Sequence, residues 1–359
     1  MRTAQFPSRY VQGPGALGRF GEEAARLGSH ALILADRNLP ADMVDRLGTA
    51  QVRADIRHVE PACTLDAISQ TAAIAGDLGV DMIAGMGGGK VVDLGRATAD
   101  EMGLPFISVP TIAASDAPCS ALAVVYDEQG RVLHDRFVRR NPNLVLVDSA
   151  VIAAAPARFL SAGIGDALAT FFEADACIRS GAGNFCGGDA TRLAFAVARL
   201  CLDTIMEKGA AAIAACERGQ PDDAFEDVLE AAILLSGIGF ESGGVAAAHA
   251  FHHGIVELPE SHGALHGEKV AFGVLAELAL NGASDDRIGE IARFNRSVNL
   301  PLCLADLGIV DREAAIPVIA ARATRKGEII HNEPIPVSAD LAAAALARAD
   351  SIGAAVKGG

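Results

Sequence analysis

Tryptophan is absent from this 359-residue chain, tyrosine occurs twice, and aromatic residues make up only 4% of it. A β-sandwich fills its core with large rings, whereas an alanine-rich, aromatic-poor composition suits closely packed helices. No basic run of five residues occurs and the formal net charge is −15. A nucleic-acid partner, which requires a concentrated basic patch to neutralise phosphates, is therefore not expected. No window reaches 18 uninterrupted apolar residues, so no membrane span is expected. The opening MRTAQFPSRYVQGPGAL holds no apolar stretch of signal-peptide length. The seven cysteines form no C-x-x-C pair, and in a chain this long they read as reduced thiols of a cytoplasmic protein. Hydrophobic residues at 51% and charged residues at 21% describe a globular chain.

Up to about residue 157, short apolar runs alternate with helix-like segments. HALILAD (30–36), VDMIAG (80–85), FISVP (106–110) and LVLVD (144–148) read as buried strands, with ALAVVYD (121–127) between the last two. Such runs interleaved with helices predict a parallel sheet covered on both faces. Beyond Ala157 the pattern becomes helical, with segments at 166–179, 191–208, 224–236, 245–256 and 269–280 punctuated by glycine clusters. The expected organisation is an α/β domain over 1–157 and an all-α domain over 158–359. In such a pairing the cleft between domains is the default small-molecule site.

The densest glycine stretch is GMGGGKVVD, 85–93. A nucleoside-triphosphatase loop needs G-x-x-x-x-G-K-[ST]; here the spacing is one residue short and Val91 replaces the hydroxyl. A dinucleotide fingerprint G-x-G-x-x-G would end on Lys90. A tight strand-to-helix turn without ligand is one alternative. The preferred reading is a diphosphate cradle, in which backbone N–H groups at a helix start face the anion and glycines clear its approach. Asp93 then falls in the first helical turn, where a carboxylate suits the dipole. Asp36, at the end of an early strand, reads either as a ribose 2′-OH acceptor favouring NAD or as a turn-former before Arg37-Asn38.

Five of the nine histidines crowd into HAFHHGIVELPESHGALH, 249–266. On a helix His249 and His253 share a face, as do His262 and His266. That density suggests a metal site, for which three or four ligands must converge. Spacing alone does not choose among the histidines. Asp166 is a candidate acid, and equally a helix N-cap after Gly165; Glu173 shares its face two turns later.

Taken together, GMGGGKVVD, VPTIAASDAPCSALAVVY (109–126), GIGDALAT (163–170), AAAHAFHHG (246–254), HGALHGEKVAFG (262–273) and HNEPIPV (331–337) resemble the glycerol dehydrogenases of the iron-containing (group III) alcohol dehydrogenase superfamily. The resemblance runs over nearly the whole chain, including RYVQGPGAL (9–17). It implies a Rossmann-like N-terminal domain, a helical C-terminal domain and NAD-linked oxidation of glycerol to dihydroxyacetone at a zinc ion. The ligands it implies are Asp166, His249 and His266. The cofactor positions are Asp36, Gly87, Gly88, Gly89, Lys90, Thr111, Ser120, Leu122 and Tyr126, and Asp116 would hold the substrate's hydroxyls. His253 is a candidate proton relay. The resemblance also implies a homo-oligomer of ring type, such as an octamer. Two positions depart from the family. Ala114-Ser115 stands where relatives have Ser-Thr or Ser-Ala, which bears on cofactor affinity. Thr170 stands where iron-dependent cousins have a fourth ligand histidine, which favours three ligands and zinc. Rival readings are a dehydrogenase of another small diol or 2-hydroxy acid, a dehydroquinate-synthase-like lyase, a polyol-phosphate dehydrogenase, and a nucleotide-binding module without catalysis.

Overall fold

The computed structural model describes residues 1–40 and 42–358. The chain divides into two compact units, one of Gln5–Pro156 with Cys216–Pro221, the other of Met1–Ala4, Ala157–Ala215 and Asp222–Gly359.

In the first unit, six parallel strands form one sheet: β1 (Tyr10–Gly13), β2 (His30–Asp36), β3 (Arg53–Val59), β4 (Met82–Gly87), β5 (Phe106–Pro110) and, last in the chain, β8 (Leu144–Asp148). Their spatial order is β1-β8-β5-β4-β2-β3. Both faces are buried. Ala31, Ile33 and Ala35 of β2 join Met82, Ala84 and Met86 of β4 in one apolar cluster, while Leu32, Leu34 and Ile83 enter another on the opposite face. That alternation explains why these strands read as continuous apolar runs.

Three expectations shift. The strand expected at 80–85 spans Met82–Gly87, so its last residues are themselves part of the glycine stretch. The segment expected at 121–127 does form a strand, β6 (Leu122–Tyr126), but it pairs antiparallel with β7 (Val132–Phe137) outside the main sheet. β3, RADIRHV, is an edge strand with several charged, exposed positions, and that polarity hid it from an apolar-run reading.

The second unit is helical, with long helices at Ala157–Ser180 and Arg192–Glu217 and shorter ones including Ala247–Val256 and His266–Leu280. Ala157–Ser180 begins nine residues before the expected start, and Asp166 lies inside it, 2% exposed. The N-cap reading of Asp166 is therefore wrong. The residue sits mid-helix, where a carboxylate has no orphan backbone donor to satisfy. Among the described residues no single helix is long and apolar enough to cross a membrane.

Candidate metal and nucleotide sites

The sequence order strand, glycines, helix places the glycine stretch at the carboxyl end of β4, the edge of an open parallel sheet where ligands bind. The helix Gly89–Met102 starts there, with Gly88 as N-cap in extended conformation and, among the described residues, no side chain capping its first N–H groups. Thr111 N–H donates to the Gly87 carbonyl at 3.1 Å, tying β5 to the loop. A Cβ on Gly87 would come within 2.9 Å of the Asp36 Cβ, so glycine lets β2 and β4 end side by side. At Gly89 the nearest atom to such a Cβ is the Ala117 methyl at 3.8 Å. The protein does not need glycine there for its own packing. Lys90 is exposed and its Nζ stands 4.8 Å over the Tyr126 ring.

Asp36 accepts from the Asn38 backbone N–H at 2.9 Å and from Asn38 Nδ2 at 3.0 Å. Both bonds use Oδ1, so the turn-forming role is present and Oδ2 is left for another donor. Ser120 is buried just before β6, and Leu122 and Tyr126 are half-buried within it. Asp116 is half-buried on the segment between β5 and β6, in this same unit.

Asp93 is the correction in this region. It lies beyond the first turn of its helix and is 5% exposed, so it does not serve the helix dipole. Arg96 donates to its Oδ1 at 2.7 Å, and Val124 N–H donates to its Oδ2 at 3.2 Å. The same guanidinium also donates to the Leu122 and Ala117 carbonyls. Burial pushes the Asp93 carboxyl up to about 6 despite Arg96 beside it. This pair clamps the glycine-loop helix to β6 and to the loop carrying Asp116. Its signal, an i,i+3 acid–arginine pair on a helix, looks in sequence like an ordinary surface pair.

In the helical unit, Asp166, His249 and His266 bring one ligand atom each to within 4.8 Å of one another. His266 Nε2 is 3.1 Å and His249 Nε2 3.4 Å from Asp166 Oδ1. Two glycines make the approach possible. A Cβ on Gly267 would fall on the Ala162 carbonyl oxygen, and one on Gly165 would fall on the Gly267 carbonyl oxygen. Each glycine is the chain neighbour of a candidate ligand, so backbone-to-backbone contact of the two helices sets the Asp166–His266 distance.

Glu173, fully buried, fixes the third candidate ligand, His249. Its Oε2 is 2.6 Å from His249 Nδ1, and its Oε1 accepts the backbone N–H groups of Ala246 and His249, both at 2.9 Å. The imidazole is thereby turned so that Nε2 faces Asp166, the outer-shell arrangement that fixes a ligating histidine's ring. Glu333 Oε1 accepts from Ala247 N–H at 3.0 Å and Glu277 Oε2 from Ala248 N–H at 3.2 Å. Three buried glutamates from distant helices and turns thus take the four N–H groups from Ala246 to His249. Burial and the other carboxylates push Glu277 well above its ordinary value. Burial opposes ionisation of Asp166 and protonation of His249. Attraction to His266 and His249 nevertheless holds the Asp166 carboxyl well below the usual range. Glu173 and Asp166 raise His249 well above its own. A buried acid ringed by imidazoles is a donor set that fits a divalent cation in place of the protons.

The remaining histidines separate. His253 meets Glu328 Oε2 at 3.1 Å and does not join the triad. His262 lies in the turn Pro259–Gly263 and contacts the Val256 carbonyl, while His266 opens the next helix, so the two do not share a helical face. His252 Nε2 stands 3.1 Å from His266 Nδ1. Thr170 is buried, with Oγ1 3.0 Å from Ser236 Oγ, a packing contact between helices.

Residues 7–149 match the family described as iron-containing alcohol dehydrogenase. A glycerol dehydrogenase from Thermotoga maritima is 43% identical over 361 residues, covering 98% of this chain and 97% of its own. A glycolaldehyde reductase from Halobacterium salinarum is 42% identical, covering 98% of each. The chain belongs to the iron-containing alcohol dehydrogenase family. It is an oxidoreductase. The crystal structure of a probable glycerol dehydrogenase from Sinorhizobium meliloti superposes with a TM-score of 0.94 at 40% identity, covering 99% of this chain and 100% of that one. The expected fold class, a Rossmann-like α/β part with a helical part, is that of this neighbour.

Proposed function

We propose that this chain is an NAD-dependent, zinc-dependent dehydrogenase that oxidises glycerol to dihydroxyacetone, releasing NADH and a proton. The observation that carries the reading is the buried Asp166 carboxylate flanked by two histidine nitrogens, one of them oriented by Glu173. Asp166, His249 and His266 would hold the metal, and Thr170 in place of a fourth ligand favours zinc over iron. When bound, such a metal acts as a Lewis acid on a hydroxyl oxygen, and the nicotinamide ring accepts the hydride.

On this reading the uncapped N–H groups at Gly88–Lys90 bind the cofactor's diphosphate, Gly89 lets it approach the backbone, and Gly87 keeps the ends of β2 and β4 together beside it. Asp36 Oδ2 takes a ribose hydroxyl. Thr111, Ser120, Leu122 and Tyr126 complete the nucleotide surface. Asp116 orients the polyol's hydroxyls, and its loop is kept in place by Arg96. The seven free thiols suit the reducing cytoplasm. The proposed assembly is a homo-oligomer, an octamer by resemblance.

The name of the Halobacterium relative supports a second reading, in which an α-hydroxy aldehyde is reduced at the same site. A related dehydrogenase of another small diol stands beside it. One experiment separates them: initial rates with NAD across glycerol, 1,2-propanediol, 2,3-butanediol and 2-hydroxy acids, and with NADH on glycolaldehyde and dihydroxyacetone, with zinc and iron measured on the same sample. Glycerol is expected to give the highest kcat/KM among the alcohols, with one zinc per chain. Asp166→Ala is expected to lose bound metal and turnover together; full turnover by a metal-free Asp166→Ala protein would refute the scheme.

A further inference from the structure

The two histidines of the triad are supported differently. His249 has the Glu173 carboxylate behind its Nδ1, whereas His266, whose side chain is 40% exposed, has the imidazole of His252. His252 is held on the helix Ala247–Val256, its ring 4.4 Å centre to centre from that of His266 and nearly perpendicular to it. In this edge-on pose His252 Nε2 lies 3.1 Å from His266 Nδ1, while His266 Nε2 lies 3.1 Å from Asp166 Oδ1. Lone pairs and protons then dictate the rest. A ligating His266 needs a bare Nε2, so its ring proton must sit on Nδ1 and needs an acceptor. The acceptor in reach is His252 Nε2.

We infer that His252 is the positioning residue of His266, its Nε2 accepting the His266 Nδ1–H and so fixing the tautomer and ring angle that aim His266 Nε2 at Asp166. The assignment rests on the triad being a metal site, and goes beyond it by giving a function to a histidine that is not a ligand. His252 Nδ1 must then carry the other proton. That nitrogen is buried and has no partner among the described residues. Packing alone does not account for such a group, because burying a donor without an acceptor destabilises the fold. The cost is offset if the other face of the ring is needed at His266.

This separates a positioning role from a structural one. His252→Phe keeps a flat ring of similar size, removes the acceptor and also removes the unpaired nitrogen. His252→Gln keeps an acceptor on a flexible stem. Metal affinity is read by chelator competition and by the visible d–d spectrum of the cobalt(II)-substituted protein, and the fold by thermal melting of the metal-free protein. The expected result is a loss of cobalt affinity of about 10- to 100-fold in His252→Phe with an altered d–d spectrum, at an unchanged or higher melting temperature without metal. His252→Gln should recover most of the affinity. Wild-type affinity and spectrum in His252→Phe would overturn the assignment. So would equal loss in both variants together with a lowered metal-free melting temperature, which marks a packing role. Failure of the wild-type protein itself to bind cobalt more tightly than Asp166→Ala would instead overturn the metal-site reading on which the assignment rests.

Discussion

Two helix N-termini in this molecule face the same problem and meet it in opposite ways. At Gly89–Met102 the first N–H groups have no side-chain acceptor among the described residues, and Gly89 keeps the space before them clear. At Ala247–Val256 the N–H groups from Ala246 to His249 all go to buried carboxylates of Glu173, Glu333 and Glu277. A helix start leaves unsatisfied donors wherever it occurs. Where those donors are left open, the helix can receive an anion from outside; where the protein supplies the acceptors itself, the helix becomes a rigid mount. His249, in the first turn of the second helix, is placed by that mount. On the proposed function the open end serves a cofactor that comes and goes, and the closed end a metal-binding side chain that must not move.

Breaking the closed end should give the largest effect. Glu173→Ala strands two buried N–H groups and frees the His249 ring. Unfolding stability should fall by about 2–5 kcal/mol, from one to three per orphaned group with partial relaxation. Metal affinity should fall by about 10- to 100-fold, as for lost outer-shell partners generally. Denaturant titration and metal competition check both, and a variant that keeps wild-type metal affinity would show that the mount is not what aims His249.

The second expectation concerns pH. Burial, reinforced by Glu173 and opposed by the bonds from Asn281 and Ala247, pushes the Glu333 carboxyl up to about 7 from an ordinary 4.5. Between those values the folded protein keeps a proton that the unfolded chain releases. The metal-free protein therefore loses stability as pH rises through this window, and the loss levels off above it. Glu333→Gln, which retains an oxygen acceptor, should flatten that slope and be more stable at pH 8 by roughly 1–3 kcal/mol. An unchanged slope in urea titrations across pH 5–8 would assign the pH dependence elsewhere.

The open end yields the smallest change in stability, with the opposite sign. Gly89→Asp places an acid at the first helical position, where Cβ meets only Ala117 at 3.8 Å. The fold should gain about 1 kcal/mol from the dipole and from replacing glycine. The KM for NAD should rise at least about 10-fold, a binding loss on the order of 1.4 kcal/mol or more, with metal content unchanged. A variant that gains stability and still binds NAD normally would break the contrast between the two ends.

How much of this could be read beforehand follows from the range of the interactions. HALILAD, FISVP and LVLVD announce strands because both sheet faces are buried, a local pattern. RADIRHV does not, because an edge strand alternates with solvent. Asp166, His249 and His266 entered as a set only through motifs shared with a family. Spacing wrongly put His262 on one helical face with His266, and although it rightly put His253 on the face of His249 it could not show that His253 turns to Glu328. The supporting residues were the least legible. Glu173 reaches His249 across 76 positions and Glu333 reaches Ala247 across 86. Arg96 is a surface-type residue in sequence and 2% exposed in the fold. No periodicity encodes which distant acid will cap a helix, and none distinguishes a clamp from an exposed ion pair.

The contact between Gly165 and Gly267 has a consequence for how this enzyme tolerates change. With no side chain on either residue, the span between Asp166 and His266 is gauged by main-chain atoms, which have no rotamers to exchange. Alanine-rich surroundings can drift in sequence, trading one small apolar group for another, without altering that gauge. The jaws of the site are in effect machined from backbone, so the region free to vary and the dimension that must stay constant are carried by different atoms of the same two helices.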